Sequence, residues 1–208
     1  MYVPEHFREG DEERVRALVA AHPLATLVVQ TDDGLVANHL PMLWQEAELI
    51  GHVALANELH RTALQGQEVL AVFSGDSAYV SPNWYPSKQQ HHRHVPTWNY
   101  SVVHIYGTLN FSHDPRTKRS VVARLTRHHE QRLHGDGAWR MADAPPDYLD
   151  DMLDGIVAFT LQVSRINAKA KLSQNRATED RDGATQALDA LGQHRIAAAM
   201  RQAASDPD

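Results

Sequence analysis

The chain has 208 residues and carries 20 Lys and Arg against 26 Asp and Glu, a formal net charge of −6. With 42% hydrophobic residues it can bury a substantial core, which excludes disorder as the default, and its acidic balance excludes a generally basic nucleic-acid coat. Cysteine is absent, which removes disulfides, thiolate metal sites, Fe–S ligation and cysteine nucleophiles together and suits the interior of a cell.

Acidic residues precede the first apolar run, the reverse of a secretory leader, and no run approaches the about 18 apolar residues of a membrane span. A cytoplasmic protein with no membrane contact is the expectation. Charge is uneven along the chain: residues 111–140 alone are basic, with 7 Lys and Arg against 3 Asp and Glu. With no internal repeat, residues 1–208 read as a single domain.

Taken in order, Asp11 is placed to cap a helix whose apolar positions are Val15, Leu18 and Val19, with Pro23 ending it. Leu24–Gln30 and Leu35–Trp44 are β-rich runs separated by Thr31-Asp32-Asp33-Gly34, a hairpin signal. A third strand is expected at Glu48–Ala54, and Asn57 then caps a short helix to about Leu64. Glu68–Ser74 and Ala78–Val80 read as two strands around a turn at Gly75-Asp76, followed by a long polar loop, Ser81–Thr97. Trp98–Phe111 is a long strand, Asp114 caps a basic helix to about His134, and Ile156–Ile166 is the last strand. Helices at about Gly183–Leu191 and Gln193–Ala204 close the chain. The fold class is therefore mainly β with peripheral α-helices, an antiparallel barrel with helices at its ends and edges.

Three segments are unusual for such a barrel. In the first, Gly51 to Arg61, a strand runs into a capped helix start carrying His60 and Arg61, with His52 on the strand. Backbone N–H groups, the helix dipole and these cations could receive a phosphate, although an ordinary strand-to-helix connection has the same pattern. The second joins Tyr79-Val80-Ser81-Pro82-Asn83-Trp84-Tyr85 to Val95-Pro96-Thr97-Trp98-Asn99-Tyr100. Its aromatic and amide side chains, on a backbone fixed by prolines, suit a flat heteroaromatic ligand or simply a packed loop cluster. The third, Lys169-Ala170-Lys171-Leu172-Ser173-Gln174-Asn175-Arg176, follows the last strand and concentrates donors for phosphate or carbonyl oxygens, or is a solvated basic loop.

No metal site is read: His91, His92 and His94 lie in a polar insert without ligand spacing. Asp147, Asp150, Asp151 and Asp154 suit one exposed helix face, and no catalytic residue stands out. Walker, G-x-G-x-x-G, G-x-S-x-G and H-E-x-x-H motifs are absent.

In this order the segments resemble the PaiB family of FMN-binding negative transcriptional regulators. The resemblance rests on Met1-Tyr2-Val3-Pro4-Glu5-His6-Phe7, Asn38-His39-Leu40-Pro41, Gly51-His52-Val53-Ala54, the Tyr79–Tyr85 run, Val95-Pro96-Thr97-Trp98-Asn99-Tyr100, Val103-His104-Ile105-Tyr106-Gly107 and Lys171-Leu172-Ser173-Gln174-Asn175-Arg176. It spans residues 1 to about 200 and implies an FMN-binding split barrel, usually a homodimer with cofactor sites between subunits. The flavin-binding candidates are then His52, Asn57, His60, Arg61, Thr97, Trp98, Asn99, Lys171, Ser173, Gln174 and Arg176. The resemblance assigns no role to the histidines of the Lys88–His94 stretch.

Three functions follow as expectations. The first is a cytoplasmic flavoprotein acting as a transcriptional regulator, touching DNA, if at all, through the basic helix with Arg116, Lys118, Arg119, Arg124, Arg127 and Arg132. The second is an FMN-dependent oxidoreductase acting on a small molecule, with His39, His52 and His104 as its titratable candidates. The third is a haem-binding or haem-degrading protein, for which histidines are plentiful enough.

Overall fold

A computed structural model gives the structure of the chain and describes residues 1–63 and 66–205. The first helix forms where the sequence places it: α1 (Glu12–Ala21) starts behind Asp11, whose carboxylate accepts the amides of Glu13 at 2.8 Å and Arg14 at 3.2 Å. The Asp32-Asp33 turn pairs β1 (Leu24–Thr31) with β2 (Gly34–Pro41) in antiparallel register from Leu24↔Pro41 to Thr31↔Gly34. The second β-run is broken at buried Met42, whose amide bonds the Pro23 carbonyl at 2.9 Å, so a separate β3 (Leu43–Gln45) pairs with β4 (Glu48–Ala54).

Then come α2 (Leu59–Thr62), β5 (Gln67–Val80), α3 (Lys88–His91), β6 (Thr97–Ser112), α4 (Pro115–His134), α5 (Pro146–Asp154), β7 (Ile156–Lys171), α6 (Thr178–Ala190) and α7 (His194–Ser205). The expected end of the Asn57 helix at Leu64 lies outside the described residues. Asp114 caps α4 as expected, accepting the Thr117 amide at 2.8 Å. The strands form one seven-stranded sheet in the order β2-β1-β5-β6-β7-β4-β3, with β1–β2, β1–β5, β3–β4 and β4–β7 all antiparallel.

Two compact units divide the chain. The first comprises Met1–Leu18, Ser74–Val103 and Asn167–Asp208, and the second Val19–Phe73 and His104–Ile166. The core of the first gathers Val80, Tyr85, Leu172, Leu188, Ile196 and Met200. In the second, alternate residues of β1 point inward, with Ala25, Leu27 and Val29 at most 1% exposed, and α4 packs Val121 and Leu125 with Ile50 and Ala158. Each such buried Leu, Val or Ile side chain stabilises the fold by about 1.5–3 kcal/mol, and the alanine methyls by less.

Three boundaries correct the sequence expectation. Gly75-Asp76 is no turn, since β5 runs unbroken for 14 residues. Gly75 instead permits a close approach: a Cβ there would lie 3.2 Å from the Ser101 carbonyl oxygen. Strand β7 continues to Lys171, so Lys169 and Lys171 stand on the strand and not in the loop after it. Helix α6 begins at Thr178, five residues before the expected start.

Gly107 on β6 gives the sharpest packing prediction. A Cβ there would lie 2.3 Å from both the Gln162 carbonyl oxygen and a Leu161 methyl. Gly107→Ala is therefore expected to cost about 1–3 kcal/mol or more, because backbone must move to admit the methyl. Urea unfolding that left the midpoint unchanged would show that the strands do not approach so closely.

Candidate functional site

In the first unit, Thr97, Trp98 and Asn99 open β6 while Lys171 ends β7, and the turn that follows carries Ser173, Gln174 and Arg176. Lys171 Nζ donates to Thr97 Oγ1 and to the Trp98 carbonyl, joining the two strand ends. Asn99, 1% exposed, donates its amide to Ser173 Oγ at 2.9 Å and to Met200 Sδ at 3.3 Å. Ser173 holds a positive φ of 67° there, a conformation unusual for a non-glycine residue. Gln174 clamps its own turn, donating Nε2 to the Ala170 carbonyl at 2.6 Å and accepting the Leu172 amide at 2.7 Å. The polar groups of Asn99, Ser173 and Gln174 are thus engaged in building the turn. Trp98 is 56% exposed, and its ring meets Tyr79 edge-on at 6.2 Å.

Charge at this turn is unbalanced. Lys169 donates to the Tyr2 carbonyl at 3.3 Å, Lys171 has the two acceptors already given, and Arg176 lies over the Tyr85 ring at 5.3 Å and donates to His94 Nδ1 at 3.3 Å. Among the described residues none of these three cations has a carboxylate in ion-pairing range. Burial, then the charges of Lys169 and Arg176, push the Lys171 ammonium below the usual lysine range.

His94, which the sequence leaves in a role-free polar insert, proves to be anchored. Its side chain is 6% exposed, its Nε2 lies 2.8 Å from Ser87 Oγ, and its ring meets Tyr85 at 5.0 Å. Ser87 in turn donates its amide to Asp180 at 3.0 Å and its hydroxyl at 2.7 Å. Burial alone would raise the Asp180 carboxyl, but these two bonds and the neighbouring His94 and Arg176 hold it below the usual carboxylate range. This network ties the 81–97 loop to the start of α6. No local pattern in the sequence points to it, because its partners are separated by up to 93 positions.

The second unit holds the other candidates. His52, on β4, has its ring Nδ1 buried without a partner, and burial pushes its pKa below the usual histidine range. Asn57 donates to Asn38 Oδ1 at 2.8 Å and accepts the Leu59 amide at 3.0 Å, but it stands one residue before the cap expected of it: the N-cap of α2 is Glu58, which makes no side-chain cap bond. Helix α2 has four residues, one turn, which is too short for the dipole contribution expected of it. His60 Nε2 lies 3.0 Å from the Leu55 carbonyl oxygen, and its ring meets Phe111 and His113; Arg61 is exposed.

Most of the basic helix is engaged internally. Lys118 is buried with Nζ 3.1 Å from the Leu153 carbonyl oxygen, Arg119 pairs with Asp150, Arg124 donates to Gln45 at 2.8 Å and Arg132 to the Ala20 carbonyl. Arg116 stands in the field of the Asp114 carboxylate, and Arg127 lines a cavity with Trp139 and Arg140. Asp147, Asp150, Asp151 and Asp154 lie on exposed positions of α5 as expected. No helix among the described residues is long and apolar enough to cross a membrane.

Cations with no carboxylate in ion-pairing range among the described residues, beside an exposed indole, fit a ligand that joins an anionic group to a flat ring system, as FMN does. The family described as "Putative FMN-binding domain" matches residues 1–165. The chain is 31% identical over 184 residues to the Bacillus subtilis protein "Protease synthase and sporulation protein PAI 2", covering 86% of this chain and 85% of that one. Among solved structures it is similar to the FAD and heme binding protein from Mycobacterium smegmatis, with a TM-score of 0.58, 18% identity and coverage of 83% of this chain and 78% of that one. It is also similar to the flavocytochrome Anf3 from Azotobacter vinelandii, with a TM-score of 0.57, 15% identity and coverage of 81% and 72%. The strand arrangement, the donor set and these likenesses agree: the chain has the split-barrel fold and belongs to the PaiB-like family of FMN-binding proteins.

Proposed function

We propose that this protein is a flavin-responsive regulator of the PaiB type, a cytoplasmic homodimer in which FMN occupancy biases the shape offered to a partner. The observation that carries the flavin assignment is the gathering of Lys169, Lys171 and Arg176 with no carboxylate in ion-pairing range among the described residues, Asp180 acting on Arg176 only from farther away. Lys171 and Arg176 would hold the phosphate, and the exposed Trp98 ring would lie against the isoalloxazine. Thr97, Asn99, Ser173 and Gln174 position those contacts by fixing the strand end and the turn. His52, Asn57, His60 and Arg61 form a second group on the other unit, with the unpartnered His52 Nδ1 as its free hydrogen-bonding atom. When bound, the flavin supplies hydride and single-electron transfer chemistry. The protein's part is to bind and orient it.

The regulatory half rests on the family. It is tested by comparing transcripts in cells lacking the protein, cells with it restored, and cells carrying Lys171→Ala. Derepression in both the deletion and the variant supports the reading, and identical transcript profiles in all three contradict it. A second reading, an FMN-dependent oxidoreductase, draws on His52 and His104, whose ring Nδ1 atoms are buried without partners and whose pKa values burial pushes down. Steady consumption of a reduced nicotinamide with a defined acceptor would favour it.

Two expectations accompany the proposal. Trp98, Tyr79 and Val95 expose 56%, 47% and 68% of their surface in the single chain, and a dimer that covers them accounts for that apolar surface. Light scattering should give about twice 23.3 kDa, and the mass of one chain at micromolar concentration would contradict the dimer. If α4 meets DNA, Arg116 and Arg127 are the cations of the set not held by an internal hydrogen bond or ion pair. Affinity should then fall with salt at a slope no steeper than about −2, given about 0.9 per phosphate contact. A slope near −5 would show that the internally paired arginines turn outward.

A further inference from the structure

The first unit contains a cavity of about 460 Å³ between the N-terminal segment, β6, β7 and the C-terminal helices. It is apart from the Lys171 and Arg176 side chains, neither of which lines it. Its apolar lining includes Val15, Leu18, Val103, Leu172, Ala199 and Ala203. The volume falls within the range of small-molecule sites.

Its charges are uneven in a specific way. Two carboxylates line it, and each is already matched: Glu5 by Arg8 at 3.1 Å, and Glu9 by a two-pronged bond from Arg14, both contacts at 3.0 Å. Two further cations also line the cavity. Lys169 is 8% exposed, and its ammonium has the Tyr2 carbonyl as acceptor and the Tyr2 and Tyr100 rings as neighbours. Arg181 has its Nε buried without a hydrogen-bond partner, and among the described residues no carboxylate pairs with its guanidinium. A buried cation without a counter-charge is unfavourable, and buried Lys169 with half-buried Arg181 in a cavity that also presents apolar side chains is the arrangement that an anionic headgroup on a hydrocarbon body complements.

We propose that this cavity is a second ligand site, for a small organic anion with an apolar body, whose carboxylate is received by Arg181 and Lys169. The site shares Lys169 with the cation cluster of the proposed flavin site, whereas Arg181 belongs to the cavity alone. Leu172 and Gln174 do line it, so its occupant touches the turn that carries those residues, and a regulator would have a second input there.

The test is calorimetric titration of the FMN-loaded protein with octanoate, with octanol as the uncharged probe of the same apolar body. One octanoate should bind per chain and octanol far more weakly. Arg181→Gln should weaken octanoate by about tenfold or more, Arg181→Lys should restore part of the loss, and the flavin absorbance of the Arg181 variants should be unchanged. Ala203→Phe, which fills the cavity without touching its charges, should abolish binding and serves if a charge variant fails to fold. Octanoate that gives no heat at millimolar concentration, that binds Arg181→Gln and Ala203→Phe as it binds the parent protein, or that displaces FMN, overturns the proposal.

Discussion

Replacing Lys171 or Arg176 by alanine is expected to weaken FMN binding by about 1.5–3 kcal/mol while leaving riboflavin binding nearly unchanged. The two flavins differ by a dianionic phosphate, so a group that contacts only the phosphate acts on one of them alone. Lys171 is held below the usual lysine range by burial and by its cationic neighbours, and a phosphate placed among the three cations would relieve the mutual repulsion. Trp98→Ala should behave differently and weaken both flavins alike, because a stacking contact is made with the ring system they share. Titrating both flavins against each variant separates the two ends of the ligand. Equal losses for FMN and riboflavin at Lys171 and Arg176 would move the phosphate elsewhere, the Asn57–Arg61 segment being the next place to look.

Replacing Asp180 by alanine is expected to destabilise the protein by about 2–4 kcal/mol, since the Ser87 amide and hydroxyl both lose their acceptor in a buried place. The same carboxylate gives the fold an acid dependence of definite sign. Its folded pKa is held below the ordinary carboxylate value, so its stabilising contribution is complete above that ordinary value and is lost as pH falls through the folded one. Asp180→Asn should therefore be less stable than the parent protein near neutrality and should lose less further stability on acidification. Urea midpoints measured from neutral to acid pH check both parts. Parallel curves for parent and variant would show that Asp180 is not the group responsible.

Where structure is set by neighbours in sequence, the residues announce it. Asp11 and Asp114 accept amides two and three positions ahead, and Asp32-Asp33 closes a two-residue turn between alternating apolar runs, so each is a local event. Gly75 misleads because glycine marks turns and close approaches alike, and only the position of Ser101 decides between them. Lys169 and Lys171 look like loop residues by charge, yet they end a strand because Lys169 pairs with Arg8 and Lys171 reaches Thr97. The flavin candidates on either side of that strand end are legible as a composition, an indole and amides followed by cations. Which of them can reach a ligand is not, since Asn99, Ser173 and Gln174 are engaged in holding the turn. His94 is hidden for the same reason: its partners Ser87, Arg176 and Asp180 come together only through α6.

The central claim, that this split barrel is built to hold FMN, is tested most directly on freshly purified protein. An absorption spectrum is recorded, the protein is denatured, and the small molecule released is identified by mass spectrometry. The expected result is an oxidised flavin spectrum and the release of FMN in proportion to chain, with none released from a Lys171→Ala, Arg176→Ala double variant that remains folded. Release of haem in place of flavin, or failure of the apoprotein to take up added FMN, would contradict it.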